Sequence, residues 1–179
     1  MKGKTVVLDA GHGGSDTGAA WRGRLEKDDT LLLARQTGRQ LERLGYFVSY
    51  TRPEDQFLPL DRRLEHARAA GGDALVSLHR NSYKPQVARG FAVYVALHPT
   101  EGDLRLAQSI YRRVLEALPV MPRGVSSYDY YLCRTAPMPA CLVEALFLDH
   151  SEDNCLFDSQ LPVLASAIAQ GIADALAED

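Results

Sequence analysis

Cysteine is scarce in this chain, with three among 179 residues. Cys133, Cys141 and Cys155 show no C-x-x-C spacing, and an odd number cannot all pair within one chain. They read as small buried hydrophobes and not as metal ligands. Neither sign of charge dominates: 20 Lys and Arg face 23 Asp and Glu, a formal net charge of −3. That balance excludes the basic field of a nucleic-acid or anionic-membrane binder. No apolar run approaches the length of a bilayer span. None precedes the first apolar stretch as an export signal would, because Met1-Lys2-Gly3-Lys4 runs straight into it. Linkers, internal repeats and low-complexity segments are missing too, so residues 1–179 read as one domain.

What is present is ordinary for a soluble globular chain, at 46% apolar and 24% charged residues. Short apolar runs at residues 5–8, 46–51, 74–78, 90–97 and 140–147 read as strands. Helical spacing marks residues 27–44, 60–70, 104–118 and 161–176. In the second of these, Leu60, Leu64 and Ala67 face inward, and Arg62, Arg63, Glu65 and Arg68 outward. Residues 21–26 read as irregular, 119–129 as extended loop, 130–134 as a possible strand, and 151–158 as a turn or short helix. Strands alternate with helices, which predicts an α/β fold, a twisted mostly parallel sheet with helices on both faces.

The first strand runs into Asp9-Ala10-Gly11-His12-Gly13-Gly14-Ser15-Asp16-Thr17-Gly18-Ala19. Glycines around His12 remove Cβ atoms, so the backbone can turn sharply and hold the imidazole at the strand's end. Ligands of α/β sheets bind outside the carboxyl ends of strands. The loop lacks the lysine and the spacing of a phosphate-binding loop. His79 follows the third strand, Glu26 precedes the first long helix, and Glu144 interrupts the apolar run Leu142 to Leu148. Each has a plain reading: a backbone-satisfied histidine for His79, and a helix-dipole charge for Glu26. Glu144 is harder to place so, since a carboxylate inside an apolar run is costly unless paired or linked to a metal. Two imidazoles and a carboxylate are a set that zinc uses in hydrolases, with a carboxylate needed to receive water's proton. No short motif of the H-E-x-x-H kind ties these residues together.

The first loop, Glu26-Lys27, Thr51-Arg52 with Asp55, Leu60 with Arg63, Ser77-Leu78-His79-Arg80-Asn81, Leu132 to Thr135, Met138-Pro139 and Leu142-Val143-Glu144 occur in one order along nearly the whole chain. Together they resemble the zinc-dependent N-acetylmuramoyl-L-alanine amidases of bacterial cell-wall turnover and phage lysis. The resemblance implies Zn2+ held by His12, Glu26 and His79, and Glu144 as the catalytic carboxylate. It implies hydrolysis of the amide between N-acetylmuramic acid and the L-alanine of the stem peptide, with peptidoglycan as the partner. The action would lie in the periplasm or extracellular wall if a signal was trimmed. Otherwise the protein would be made in the cytoplasm and released at lysis.

Stem peptides carry carboxylates, so Arg80, Asn81, Lys84 and Arg89 are candidate substrate contacts, with solvated loop charges as the alternative. The family usually places Gly-Phe and later Asn after its catalytic Glu. Here Ala145 adds a methyl group, and Asp149 and His150 change the polarity of a loop that could meet substrate. Some members cover the metal with a helical insertion removed by a partner protein. Here only His98 to Gly102 separate strand from helix, too few for an independent helix, so an open site and no activator protein are expected. Two other readings stay open: a zinc exopeptidase acting on free peptides, and a catalytically silent wall-binding module.

Overall fold

The computed structural model describes residues 3–84 and 86–177. Six strands form one sheet: β1 (Thr5–Ala10), β4 (Phe47–Tyr50), β5 (Ala74–Asn81), β6 (Phe91–Val95), β7 (Pro122–Ser127) and β8 (Ala140–Phe147). Their spatial order is β4-β1-β5-β8-β6-β7, and every pairing is parallel except β6 with β8. A two-stranded hairpin, β2 (Ala20–Trp21) with β3 (Arg24–Leu25), leads into the first helix. The helices are α1 (Glu26–Arg43), α2 (Leu60–Ala69), α3 (Glu101–Ala117), α4 (Tyr131–Thr135) and α5 (Ser151–Ala177).

Strand periodicity explains the layering. Val6 and Leu8 of β1, with Ala74, Val76 and Leu78 of β5, point into the main core beneath α1, α3 and α5. Val7 and Leu75 point the other way, into a smaller cluster with Leu64 and Ala67 of α2 and Leu132 of α4. Apolar side chains on both faces are what a sheet covered twice requires. Asp9, Ser77, His79, Leu142 and Glu144 share the parity of that second, more thinly covered face. The functional candidates therefore gather where the sheet is least capped by helix.

Several expectations need correction. Residues 119–129 contain an edge strand, β7, whose Pro122 sits at its first position, where a missing N–H does least harm. Residues 130–134 start a five-residue helix and not a strand. Residues 21–26 form the hairpin and the first residue of α1. The last two segments merge into α5, kinked at Gln160 just before Pro162, whose ring disfavours a straight helix. By length and composition α5 is long and apolar enough to cross a membrane. It packs instead against α1 and α3 as a core helix. Cys133 and Cys141 are buried as expected, but Cys155 is exposed. On α2, Arg63 is buried and Leu60 is half exposed, the reverse of their expected faces.

Candidate metal and catalytic site

The first loop is shaped from below by buried charge. Asp9 lies inside the sheet and accepts hydrogen bonds from Thr51 Oγ1 at 2.5 Å, Ser77 Oγ at 2.6 Å and the Arg63 guanidinium at 2.8 Å. Burial alone would raise its pKa; the Arg63 charge and these hydrogen bonds outweigh that and hold it below the usual carboxylate range. Arg63 also donates to the carbonyls of Ala10 and His12, both at 2.6 Å. Arg52, fully buried, donates to the carbonyls of Ala10, Gly11 and Lys27 at 2.8, 3.0 and 2.8 Å. Two guanidiniums thus neutralise the inward-turned carbonyls of the loop. From above, Asp55 accepts from Gly14 N–H and Lys27 Nζ, both at 2.7 Å.

That framework holds His12 at φ 61°, a left-handed conformation that histidine adopts more readily than most side chains. A Cβ on Gly11 would stand 2.3 Å from the His79 ring, and one on Gly18 2.6 Å from both Glu26 and the His12 ring. Both positions demand glycine for close approach. Asp16, four residues on, meets His12 Nδ1 at 2.9 Å and so turns Nε2 towards the cavity.

Glu26, first residue of α1, reaches between the two imidazoles. Oε2 lies 3.1 Å from His12 Nε2, and Oε1 3.0 Å from His79 Nδ1. Backbone N–H groups of Ala19 and Arg80 donate to the same two oxygens at 2.9 and 3.0 Å. Burial opposes its charge, yet hydrogen bonding and the imidazoles hold Glu26 far below its ordinary pKa. Burial likewise disfavours charged His12, but the bond to and charge of Glu26 win, raising its pKa to about 9. The ligand atoms of His12, Glu26 and His79 all lie within 4.8 Å of one another. A tetrahedral ion with bonds near 2 Å spaces its ligands by roughly 3.3 Å, so a small closure suits one.

Glu144 stands beside His79 across the β5–β8 register. Its Oε2 is buried without a hydrogen-bond partner. Burial, partly offset by His79 and reinforced by Glu26, raises its pKa to about 7. Tyr130, which stacks edge-on with Tyr94 at 5.6 Å, lines the same cavity of about 440 Å³. The phenol is pushed up by burial and by Glu144, so it stays a protonated donor.

The expected substrate contacts fare differently. Arg80 borders the cavity but does not offer its charge there: its guanidinium is wholly buried. It donates to Asp29 at 2.5 Å and Asn154 at 2.7 Å, and lies 4.1 Å over the Phe157 ring. Asn81 does line the cavity. Lys84 is exposed outside its lining, and Arg89 pairs with Glu152. Asp149 is buried and accepts from the Tyr83 N–H at 2.9 Å, anchoring the loop after β5. The Ala145 methyl enters the main core and not the cavity. Missed from sequence were Asp16, Asp29, Tyr130 and the cradle of Arg52 and Arg63. Asp16 left a signal in its four-residue spacing from His12, and Arg52 and Arg63 stood in the resembling blocks without a role read from them.

A mostly parallel sheet brings two histidines and a carboxylate together in a donor set that could hold a metal ion, with a half-buried second carboxylate beside it. Residues 6–178 match the N-acetylmuramoyl-L-alanine amidase family, and the chain belongs to it. It is a peptidoglycan-hydrolysing amidase by that membership. An N-acetylmuramoyl-L-alanine amidase of Clostridium difficile 630 shares 29% identity over 100% of both chains, with TM-score 0.96. AmiC2 of Nostoc punctiforme shares 32% over 97% of both, with TM-score 0.91. The probable cell wall amidase LytH of Staphylococcus aureus is 33% identical over 96% of this chain, which spans 58% of that relative's length.

Proposed function

We propose that the chain is a zinc-dependent amidase that cleaves the bond between the lactyl group of N-acetylmuramic acid and the L-alanine of the stem peptide. The carrying observation is one cavity that joins a closely spaced two-histidine, one-carboxylate donor set to a carboxylate with an unpartnered buried oxygen. His12, Glu26 and His79 would hold the ion, and their donor types fit zinc. Bound there, zinc supplies Lewis acidity that polarises a carbonyl and acidifies water. Glu144 takes the proton from the attacking water and passes it to the leaving alanine nitrogen. Its raised pKa suits a group that must both accept and return a proton near neutral pH. Asp16 keeps the His12 tautomer, while Arg80 and Ala19 N–H groups keep the Glu26 carboxylate aimed.

The chain connects β6 to α3 through residues 96–100 alone, and the cavity is open. We therefore propose action without an activator protein, on wall reached either by export or by release at lysis. Purified protein should contain about one zinc per chain and should release free stem peptide from purified peptidoglycan, read by mass spectrometry. Release of single amino acids from free peptides would instead indicate an exopeptidase. Zinc binding without any cleavage would indicate a silent wall-binding module.

A further inference from the structure

The cavity holding Glu144 is one half of a longer cleft. A second cavity, of about 590 Å³, adjoins it and shares His12, His79, Leu60 and Tyr131 with it. The four shared residues form a saddle, and the two lobes extend from it with different chemistry. The first lobe carries Glu144, Asn81, Ser82 and Tyr130, together with Glu26, whose oxygens are engaged by His12 and His79, and Arg80, whose guanidinium is buried against Asp29. The second carries Phe57, Asp61 and Asp16. Phe57 is 55% exposed, and both acidic side chains reach solvent. Arg63 also borders this lobe, but it is buried against Asp9 and offers no free charge.

Resting on the amidase reading above, we infer that the two lobes divide the substrate: the glycan half lies in the Phe57–Asp61 lobe, the stem peptide in the Asn81–Tyr130 lobe. Two independent features carry this. The group that returns a proton to the leaving alanine nitrogen must lie on the nitrogen's side of the bond, within hydrogen-bond reach. Glu144 borders only the first lobe, so nitrogen and peptide occupy that side. The lactyl carbon and its sugar then extend across the saddle.

Charge gives the same answer. The first ionised groups of an unamidated stem are carboxylates close to the scissile amide. Asp61, with no ion pair among the described residues, would repel them at short range, whereas the Glu26 carboxylate of the other lobe is engaged by His12 and His79, and Asn81, Ser82 and the Tyr130 phenol can donate to them. A sugar has no charge to be repelled. Its hydroxyls donate to carboxylates, and its apolar C–H face packs on an exposed aromatic ring such as Phe57. Asp16 is occupied with His12, which leaves Phe57 and Asp61 as the residues that set glycan preference.

The test uses the zinc-loaded chain and two substrate series. One keeps L-alanyl-D-isoglutamine and lengthens the glycan from one muramic acid to a disaccharide and a tetrasaccharide. The other keeps the disaccharide and exchanges D-isoglutamine for D-isoglutamate. Phe57→Ala should raise KM by about 3- to 10-fold on the longer glycans, with a smaller effect on the monosaccharide. It should weaken calorimetric binding of the peptide-free disaccharide by a similar factor. Asp61→Asn should leave the isoglutamate-to-isoglutamine ratio of KM as in the wild type. If Asp61→Asn selectively improves KM for isoglutamate, the peptide lies in the Phe57–Asp61 lobe and the inference is overturned. A Phe57→Ala effect independent of glycan length, with unchanged disaccharide binding, overturns it as well. Failure of the wild-type protein to release peptide from any member of either series overturns the amidase reading itself, a separate outcome.

Discussion

Glu26, on an α1 wall, and Glu144, on a β8 wall, line one cavity, and they are supported in opposite ways. Both Glu26 oxygens are engaged, by two backbone N–H groups and two imidazoles, and its pKa is driven far down. Glu144 has a buried oxygen with no partner, and its pKa rises to about 7. The first wall is pre-organised around a permanent negative charge; the second keeps a carboxylate that can change charge. A ligand needs the former and a proton carrier the latter. The contrast supports the two proposed roles independently of either residue's position in the sequence.

The most damaging change should be on the second wall. Glu144→Gln keeps the size and most of the packing but removes proton transfer, so turnover should fall by on the order of 10²- to 10⁴-fold. Zinc content, measured by atomic emission, should stay at the wild-type level because none of the three ligand side chains changes. Loss of zinc together with activity would erase the distinction between the two walls.

The next effect belongs to the scaffold beneath the first wall. Asp9→Asn leaves Arg63 charged and buried with only carbonyl partners, which should cost about 3 kcal/mol in denaturant unfolding at pH 7. Asp9 has a folded pKa below its unfolded value, so its stabilisation is complete above the unfolded pKa, roughly 3.9. It is lost as pH falls through the lower folded pKa. The variant should therefore show a shallower loss of stability with acid than the wild type below about pH 4. Equal acid slopes in the two proteins would show that Asp9 is not held ionised.

Arg80 bears on the wall directly, since its backbone N–H holds Glu26 and its side chain ties β5 to α1 and α5. Arg80→Met keeps the stem over Phe157 but strips the fork from Asp29. Supports of this kind behind a metal ligand typically change affinity by about 10- to 100-fold, and competition with a chelator should show a loss near the lower figure. Arg80→Lys should restore part of it. An affinity unchanged in both variants would mean that the backbone bond alone positions Glu26.

Much of this architecture is visible in periodicity. Strand β8 matches its apolar run from Ala140 to Phe147, and the helical spacing of Leu31, Ala34 and Leu41 marks the body of α1. Strand β7 is hidden because Pro122 and Gly124 read as turn formers, and an edge strand with solvent on one side tolerates both. Helix α4, at five residues, is too short to show a period. The burial of Arg52 and Arg63 is illegible for a different reason. Arg63 sits among the polar positions of α2, and only the depth of Asp9 in the sheet shows that its guanidinium turns inward. The catalytic candidates were legible through motif resemblance, while their convergence rests on sheet order, which brings β1, β5 and β8 side by side.

The smallest effect is expected on the part of the loop after β5 that lies beyond Ser82 and outside the cavity lining. Its anchors are Asp149 on Tyr83 N–H and Asp153 on Gly90 N–H at 2.8 Å, so its backbone is held from the far side by α5 and the turn before it. Lys84 points its charge to solvent, and Arg89 is neutralised by Glu152. Exposed pairs of this kind contribute little, because water and salt screen them and ordering two long side chains opposes the attraction. Neither residue lines the cavity that contains Glu144. The double variant Lys84→Ala, Arg89→Ala should therefore change KM for a muramoyl peptide by less than about 2-fold, consistent with the small worth of exposed pairs. It should do so equally at low and high salt. A KM rise that grows as ionic strength falls would place a stem carboxylate against this loop, and would extend the peptide lobe from Asn81 outward to Lys84.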